Sequence, residues 1–220
     1  LDDIKTISEK YLEPEELNAL LKELYRTPRT YRAGLLAEFM SLNGCRIGEA
    51  VAIEKHNFHR ESRELDIHGT LDSIDKNAKK ELTKTLSSYR TTNLTHREIE
   101  IIDEFIKLND LAKNTDPNWP DTDYIFLNNQ GKPIQRNAFN ITLQKANQRL
   151  DKPINKVLSS HIFRHTLISM LAERNIPVKA IMARVGHKDS KTTMQIYTHV
   201  TKNMKTNIEN ILDAIANDRK

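Results

Sequence analysis

The chain has 220 residues, enough for one substantial core, and its 38% hydrophobic and 29% charged residues exclude a disordered segment or a membrane-embedded protein. A single cysteine, Cys45, excludes an intrachain disulfide and a four-cysteine zinc site, and it fits a reducing cytoplasm. The net charge of +4 is mild, so where the charges cluster says more than their sum.

The chain opens Leu1-Asp2-Asp3-Ile4, without a secretory pattern or an initiator Met, and a longer parent protein is expected. Residues 14–25 read as an amphipathic helix: Pro14 suits a first helical position, and Leu17, Leu20, Leu21 and Leu24 recur at helical spacing. A second helix is expected over about 30–42, stopped by Asn43-Gly44, and a short one near Arg46 that buries Ile47, Ala50 and Val51. Alternation in Glu64 to Leu71, then a basic turn and a return strand near Arg90–Leu94, predicts a small antiparallel sheet of two or three strands.

Thr95-His96-Arg97-Glu98 is a capping box that opens a helix with Ile99, Ile102 and Ile106 inward. Asn114 to Asp123 holds Pro117 and Pro120 and reads as a loop, and Tyr124 to Leu127 as a short extended piece. Helices follow at about 136–149, 160–174, 177–185 and 189–197, with Gly186 closing the third. A terminal helix is expected over 202–217, striped by Met204, Ile208, Ile211, Leu212 and Ile215. The fold class is mainly α with a small antiparallel β-sheet (α+β).

Bases cluster in three segments. Residues 76–90 hold Lys76, Lys79, Lys80, Lys84 and Arg90 against Glu81 alone; 144–165 and 174–191 are similarly one-sided, whereas 1–16 is acidic. Such clustering suits a polyanion partner, although solvated helix faces would look the same.

Three patterns carry candidate chemistry. They are Asn43-Gly44-Cys45-Arg46-Ile47-Gly48-Glu49, His161-Ile162-Phe163-Arg164-His165, and the stretch from Gly186-His187 through Tyr197 to His199. Alone, each has a plain alternative. Arg46 and Glu49 can be a surface pair at i, i+3, His161 and His165 ordinary helix histidines, and Tyr197 a core aromatic. The histidines 161, 165, 187 and 199 lack tight spacing with cysteine or carboxylate, which argues against zinc.

In this order the three patterns resemble the tyrosine recombinase family, the integrases of phages and conjugative transposons, and the resemblance spans essentially the whole chain. Position by position, it assigns the family's two arginines to Arg46 and Arg164, its histidines to His161 and His187, its hairpin lysine to Lys84 and its nucleophile to Tyr197. Glu49 and His165 fall where supporting residues are expected. Val185 before Gly186-His187, and Ile162-Phe163 between His161 and Arg164, depart from the commoner leucine and Asp-Leu.

The chemistry of these residue types agrees. Two guanidiniums can clamp the non-bridging oxygens of a phosphodiester as negative charge gathers there. A tyrosine, with an ordinary pKa of about 10, needs a base or a cationic surrounding to attack at neutral pH. His161 is the candidate base, Lys84 the acid for the departing 5′ oxygen, and His187 a donor to the phosphate.

The resemblance implies a site-specific recombinase with the family's catalytic-domain fold, using no metal or other cofactor and passing through a 3′-phosphotyrosine intermediate. It also implies double-stranded DNA as substrate, a tetramer on paired sites, and an excision factor or DNA-bending protein as further partners. Alternatives are a non-cleaving DNA-binding relative and a Xer-like resolvase. Residues 1–200 are expected to form the catalytic domain and 201–220 a helical segment that packs on its own domain or is exchanged between subunits; its apolar stripe fits either. The N-terminal DNA-binding domains are expected to lie outside this chain. The enzyme is expected to be cytoplasmic, with no membrane partner.

Overall fold

Residues 7–71, 89–186, 190–202 and 216–217 are described in a computed structural model of the chain. Helix α1, Pro14–Tyr25, begins with proline at its first position, and the backbone N–H of Glu13 donates to the Glu16 carboxylate at 2.8 Å. Its buried Leu17, Leu20 and Leu24 face the core. Helix α2, Pro28–Asn43, starts earlier than its apolar spacing predicts, because Pro28 fits the first turn, where no N–H is needed. It ends at Gly44, whose φ of 79° lies in the left-handed region and whose N–H donates to Met40 O at 2.9 Å.

The short helix α3, Ile47–Val51, follows, and then a 3-10 turn at Lys55–Asn57. Strands β1 (Phe58–His59), β2 (Glu64–Ile67) and β3 (Arg90–Asn93) form an antiparallel sheet in the order β1-β2-β3. Leu65 and Ile67 are buried and alternate with Glu64 and Asp66, as period-2 pairing requires. The three strands fall within the expected two or three, and β1 is the one whose position the sequence does not mark. The basic turn between β2 and β3, with Lys84, lies outside the described residues.

Helix α4, His96–Thr115, opens with the anticipated capping box: Glu98 N–H donates to Thr95 Oγ1 at 3.2 Å and Thr95 N–H to the Glu98 carboxylate at 2.8 Å. Its buried face is turned one residue from the expected one. Ile101, Ile102 and Phe105 are buried, while Ile99 and Ile106 only pack at the edge of the core. The Phe105 ring sits 4.9 Å from that of Phe126, so the Tyr124–Leu127 segment sets which face turns inward. The helix also takes in Asn114 and Thr115, which the prolines had assigned to a loop.

Helices α5 (Arg136–Asn147), α6 (His161–Glu173), α7 (Val178–Val185) and α8 (Ser190–Lys202) complete the described elements. α8 passes its expected end because Ile196 and Val200 continue its apolar stripe into the core. The anticipated terminal helix falls mostly outside the described residues. No described helix is long and apolar enough to cross a membrane.

The core has two clusters, and α6 belongs to both. Its Ile162 and Phe163 join the larger one, built from α1, α2, α4, α5 and the sheet. Its Leu167, Ile168 and Ala172 join a smaller one with Ile181 and Val185 of α7, Ile196 and Val200 of α8, and Tyr11. Arg164 therefore sits on the central helix between two apolar masses, and this governs what it can bond.

Candidate active site

The turn after α2 presents the first pattern. Arg46 is extended, with φ −74° and ψ 154°, just ahead of α3. The Glu49 carboxylate reaches back to it: Arg46 N–H donates to Oε2 at 3.0 Å and Arg46 Nη1 to Oε1 at 2.9 Å. A second arginine, Arg90 of β3, donates its Nη2 to Glu49 Oε2 at 2.9 Å. Burial alone pushes the Glu49 carboxyl up, but the charges and hydrogen bonds of Arg90 and Arg46 outweigh it and hold the group below the usual carboxylate range. This is no surface pair: the Glu49 side chain is 6% exposed and that of Arg46 25%.

Arg164 is wholly buried. Its Nη1 donates to Gly44 O at 2.8 Å and to Val185 O, and its Nη2 donates to Gly186 O at 3.2 Å. Gly44 caps the C-terminus of α2, and Val185 and Gly186 close α7. Two helix C-termini, each carrying partial negative charge, thus converge on one guanidinium, which is how a full charge is tolerated at that depth. His161, the first residue of α6, is exposed, so the face expected to carry both residues does not present them alike. The reason is packing: α6 lies against α2, α7 and α8, so position 164 turns inward while position 161 stands at the helix end.

His165 is half-buried, and its Nδ1 lies 3.2 Å from Lys10 O, so that nitrogen carries the proton. The ring centroids of His161 and His165 are 6.5 Å apart. Leu12 N–H donates to Thr166 Oγ1 at 2.9 Å, so residues 10–12 strap the outside of α6. Tyr197, on α8, is half-buried and packs at the margin of the smaller cluster, where α8 lies against α6 and α7. Lys84 and His187 lie outside the described residues.

Cys45, between the Gly44 cap and Arg46, is fully buried, and burial pushes its thiol up to about 12. It is therefore no nucleophile at neutral pH.

Arg90 and Arg184 were missed. Arg184 of α7 donates to Asn93 O, to Leu42 O at 3.2 Å and to the buried Glu98 carboxylate at 2.9 Å, tying α7 to α2, β3 and α4. Arg90 had counted only as one base in a cluster. In the sheet it shares one face of β3 with the buried Thr92, a burial that the sequence does not mark.

The model for the phage integrase family matches residues 10–204. The chain is 57% identical over 214 residues to the prophage ps2 probable integrase of Lactococcus lactis subsp. lactis (strain IL1403), covering 96% of this chain and 56% of that protein. It is 38% identical over 192 residues to the integrase of Staphylococcus phage L54a, covering 84% of this chain and 54% of that one. The chain thus spans about half the length of the curated relatives it matches. Among solved structures it is similar to the Tn1549 transposon integrase in complex with transposon right end DNA. The TM-score is 0.76 at 19% identity, covering 92% of this chain and 66% of that one, a likeness of fold.

Proposed function

Because the chain belongs to the phage integrase family, we propose that it is the strand-cleaving and rejoining part of a site-specific recombinase that integrates and excises a mobile element. The observation that carries this reading is the hydrogen-bonded junction of Arg46, Glu49, Arg164, Gly44 and Gly186, where the α2–α3 turn meets α6 and α7, the two helices on which the Tyr197 helix packs. The prophage and phage origin of the two relatives supports the mobile-element assignment.

In this mechanism Arg46, partly exposed, meets a non-bridging oxygen of the scissile phosphate first. Arg164 joins by exchanging the bond from Nη2 to Gly186 O, at 3.2 Å the longest of its three described hydrogen bonds, for a second phosphate oxygen. Two guanidiniums in fixed geometry then stabilise the charge that builds at phosphorus. Tyr197 Oη attacks phosphorus as His161 takes its proton; the bond to the 5′ oxygen breaks, and Lys84 protonates that oxygen. His187 donates to a phosphate oxygen.

The products are a 3′-phosphotyrosine and a free 5′ hydroxyl. Cleavage by water would lose the phosphoester linkage. The tyrosyl ester keeps it, so the 5′ hydroxyl of another strand reverses the step and joins new DNA. Arginine and lysine supply the positive charge that a divalent ion gives other phosphoryl-transfer enzymes.

The substrate is double-stranded DNA in the cytoplasm. Exchange between paired sites takes four copies, with an excision factor or a DNA-bending protein setting direction. Residues 1–200 act as the catalytic unit.

The test is to incubate the intact protein with nicked attachment-site DNA in EDTA and to run the products on a denaturing gel. A protein–DNA band that survives denaturation is expected. Binding without such a band would favour a non-cleaving relative.

A further inference from the structure

We infer that Arg90 is a positioning residue for strand cleavage, acting through Glu49 on Arg46 and on the C-terminal end of α7 at Arg184 and Gly186. The inference rests on the recombinase reading above and adds to it a residue that the three sequence patterns leave out.

Arg90 opens β3 opposite Ile67, and its side chain is 9% exposed. One guanidinium faces three ways. Nη2 donates to Glu49 Oε2 at 2.9 Å, and Nε donates to Arg184 O at 3.2 Å. Nη1 is buried without a hydrogen-bond partner among the described residues, and it lies 3.1 Å from where a Cβ on Gly186 would stand. Arg90 thus touches both walls of the junction, the Arg46–Glu49 turn and the C-terminus of α7. Gly186, with φ 94°, admits it because glycine has no side chain there.

A packing role does not account for this residue. An unbranched apolar side chain would fill the same space without burying a cation or leaving a donor unmet. What the position uses is the planar fork, which donates in two fixed directions to a carboxylate and a carbonyl. The carboxylate is the one that orients Arg46. Glu49 Oε2 takes both the Arg46 N–H and Arg90, and Oε1 takes Arg46 Nη1. Without Arg90, the buried carboxylate has Arg46 as its remaining close cation, and the Arg46 guanidinium is drawn toward it and away from the DNA side. The Arg184 carbonyl loses a donor at the same moment, and of the two described ties between α7 and β3 only the bond from Arg184 to Asn93 O is left.

The experiment compares single-turnover cleavage of nicked attachment-site DNA, and affinity for that DNA, in the unaltered protein, Arg90→Met, Arg90→Lys, Glu49→Gln and the Glu49→Gln/Arg90→Met double variant. Arg90→Met is expected to slow cleavage about 100-fold, the scale of an ångström-level misplacement, with DNA affinity retained. Arg90→Lys, which keeps the charge and one donor, is expected to recover part of the rate, and it decides the matter if Arg90→Met does not fold. The double variant is expected to be no slower than the slower single variant, because both act through one carboxylate. An unchanged rate in Arg90→Met, rate losses that multiply in the double variant, or affinity that falls in step with rate would each overturn the inference. Absence of any adduct from the unaltered protein would overturn the recombinase reading, and the inference with it; an adduct there alongside an unchanged Arg90→Met rate overturns the inference alone.

Discussion

Arg164 Nη1 donates to the carbonyl of Gly44 at 2.8 Å, so the second arginine of the junction is fastened to the turn that presents the first. The same guanidinium holds Val185 and Gly186. One buried cation therefore joins the chain ends ahead of Arg46 and of His187. The donors that fasten these chain ends are the ones that the proposed mechanism turns toward phosphate.

Replacing Arg164 by alanine leaves the carbonyls of Gly44, Val185 and Gly186 buried and without their donor. The expected loss is about 3 kcal/mol or more, since each buried polar group left unmet costs about 1–3 kcal/mol. Urea denaturation measures it. A loss within the range of ordinary surface substitutions would mean that the carbonyl contacts are not what holds α2 and α7 together.

Gly44 carries its own constraint. At its φ of 79°, a Cβ would stand 2.8 Å from Leu167 Cδ2 and 2.9 Å from Val185 Cγ1. Gly44→Ala is expected to destabilise by about 1–3 kcal/mol from backbone strain, with the clash in addition. It is also expected to slow cleavage by shifting Arg46. Thermal unfolding and the adduct assay on the same preparation check both, and a variant as stable as the parent would contradict the geometry.

Glu49 gives a pH test whose sign is fixed. Its carboxyl is held below the usual range in the folded protein: burial opposes this, and Arg90 and Arg46 outweigh burial. The resulting stability is complete above the ordinary glutamate value of about 4.3 and is lost as pH falls through the lower folded value. The stability gap between the parent and Glu49→Gln is therefore expected to narrow as denaturation curves are taken from neutral pH into that acid window. A gap that stays constant would show that the Glu49 charge contributes nothing.

Cys45 is fully buried, with its thiol pushed up to about 12 by burial. A disulfide reagent at neutral pH is expected to label it at the rate of unfolding rather than at the rate of a free thiol. Fast, stoichiometric labelling of the native protein would contradict the packing at this turn.

Much of the fold was legible because local rules and global packing agree. Leu17, Leu20 and Leu24 show their helix by spacing, Thr95 and Glu98 show a helix start, and Gly44 shows a stop. The missed pieces depend on distant partners. A two-residue strand such as Phe58–His59 has no period to read. The inward face of α4 is set by Phe126, from another segment. The burial of Arg164 follows from two helix ends that reach it from 120 and 22 residues away along the chain. The proposed site is read from ordered residue types, Arg46, His161, Arg164 and Tyr197, whereas Arg90 and Arg184, which join its elements, bond mainly to buried carboxylates and backbone carbonyls that carry no mark in sequence.

The central claim is that Tyr197 takes the DNA covalently beside the Arg46–Arg164 junction. The direct measurement is mass spectrometry of the digested protein–DNA adduct, run in parallel on Tyr197→Phe. The account predicts a nucleotide-modified peptide containing Tyr197, and a Tyr197→Phe protein that binds DNA as before and forms no adduct. An adduct mapped to another residue, or one that persists in Tyr197→Phe, would contradict it.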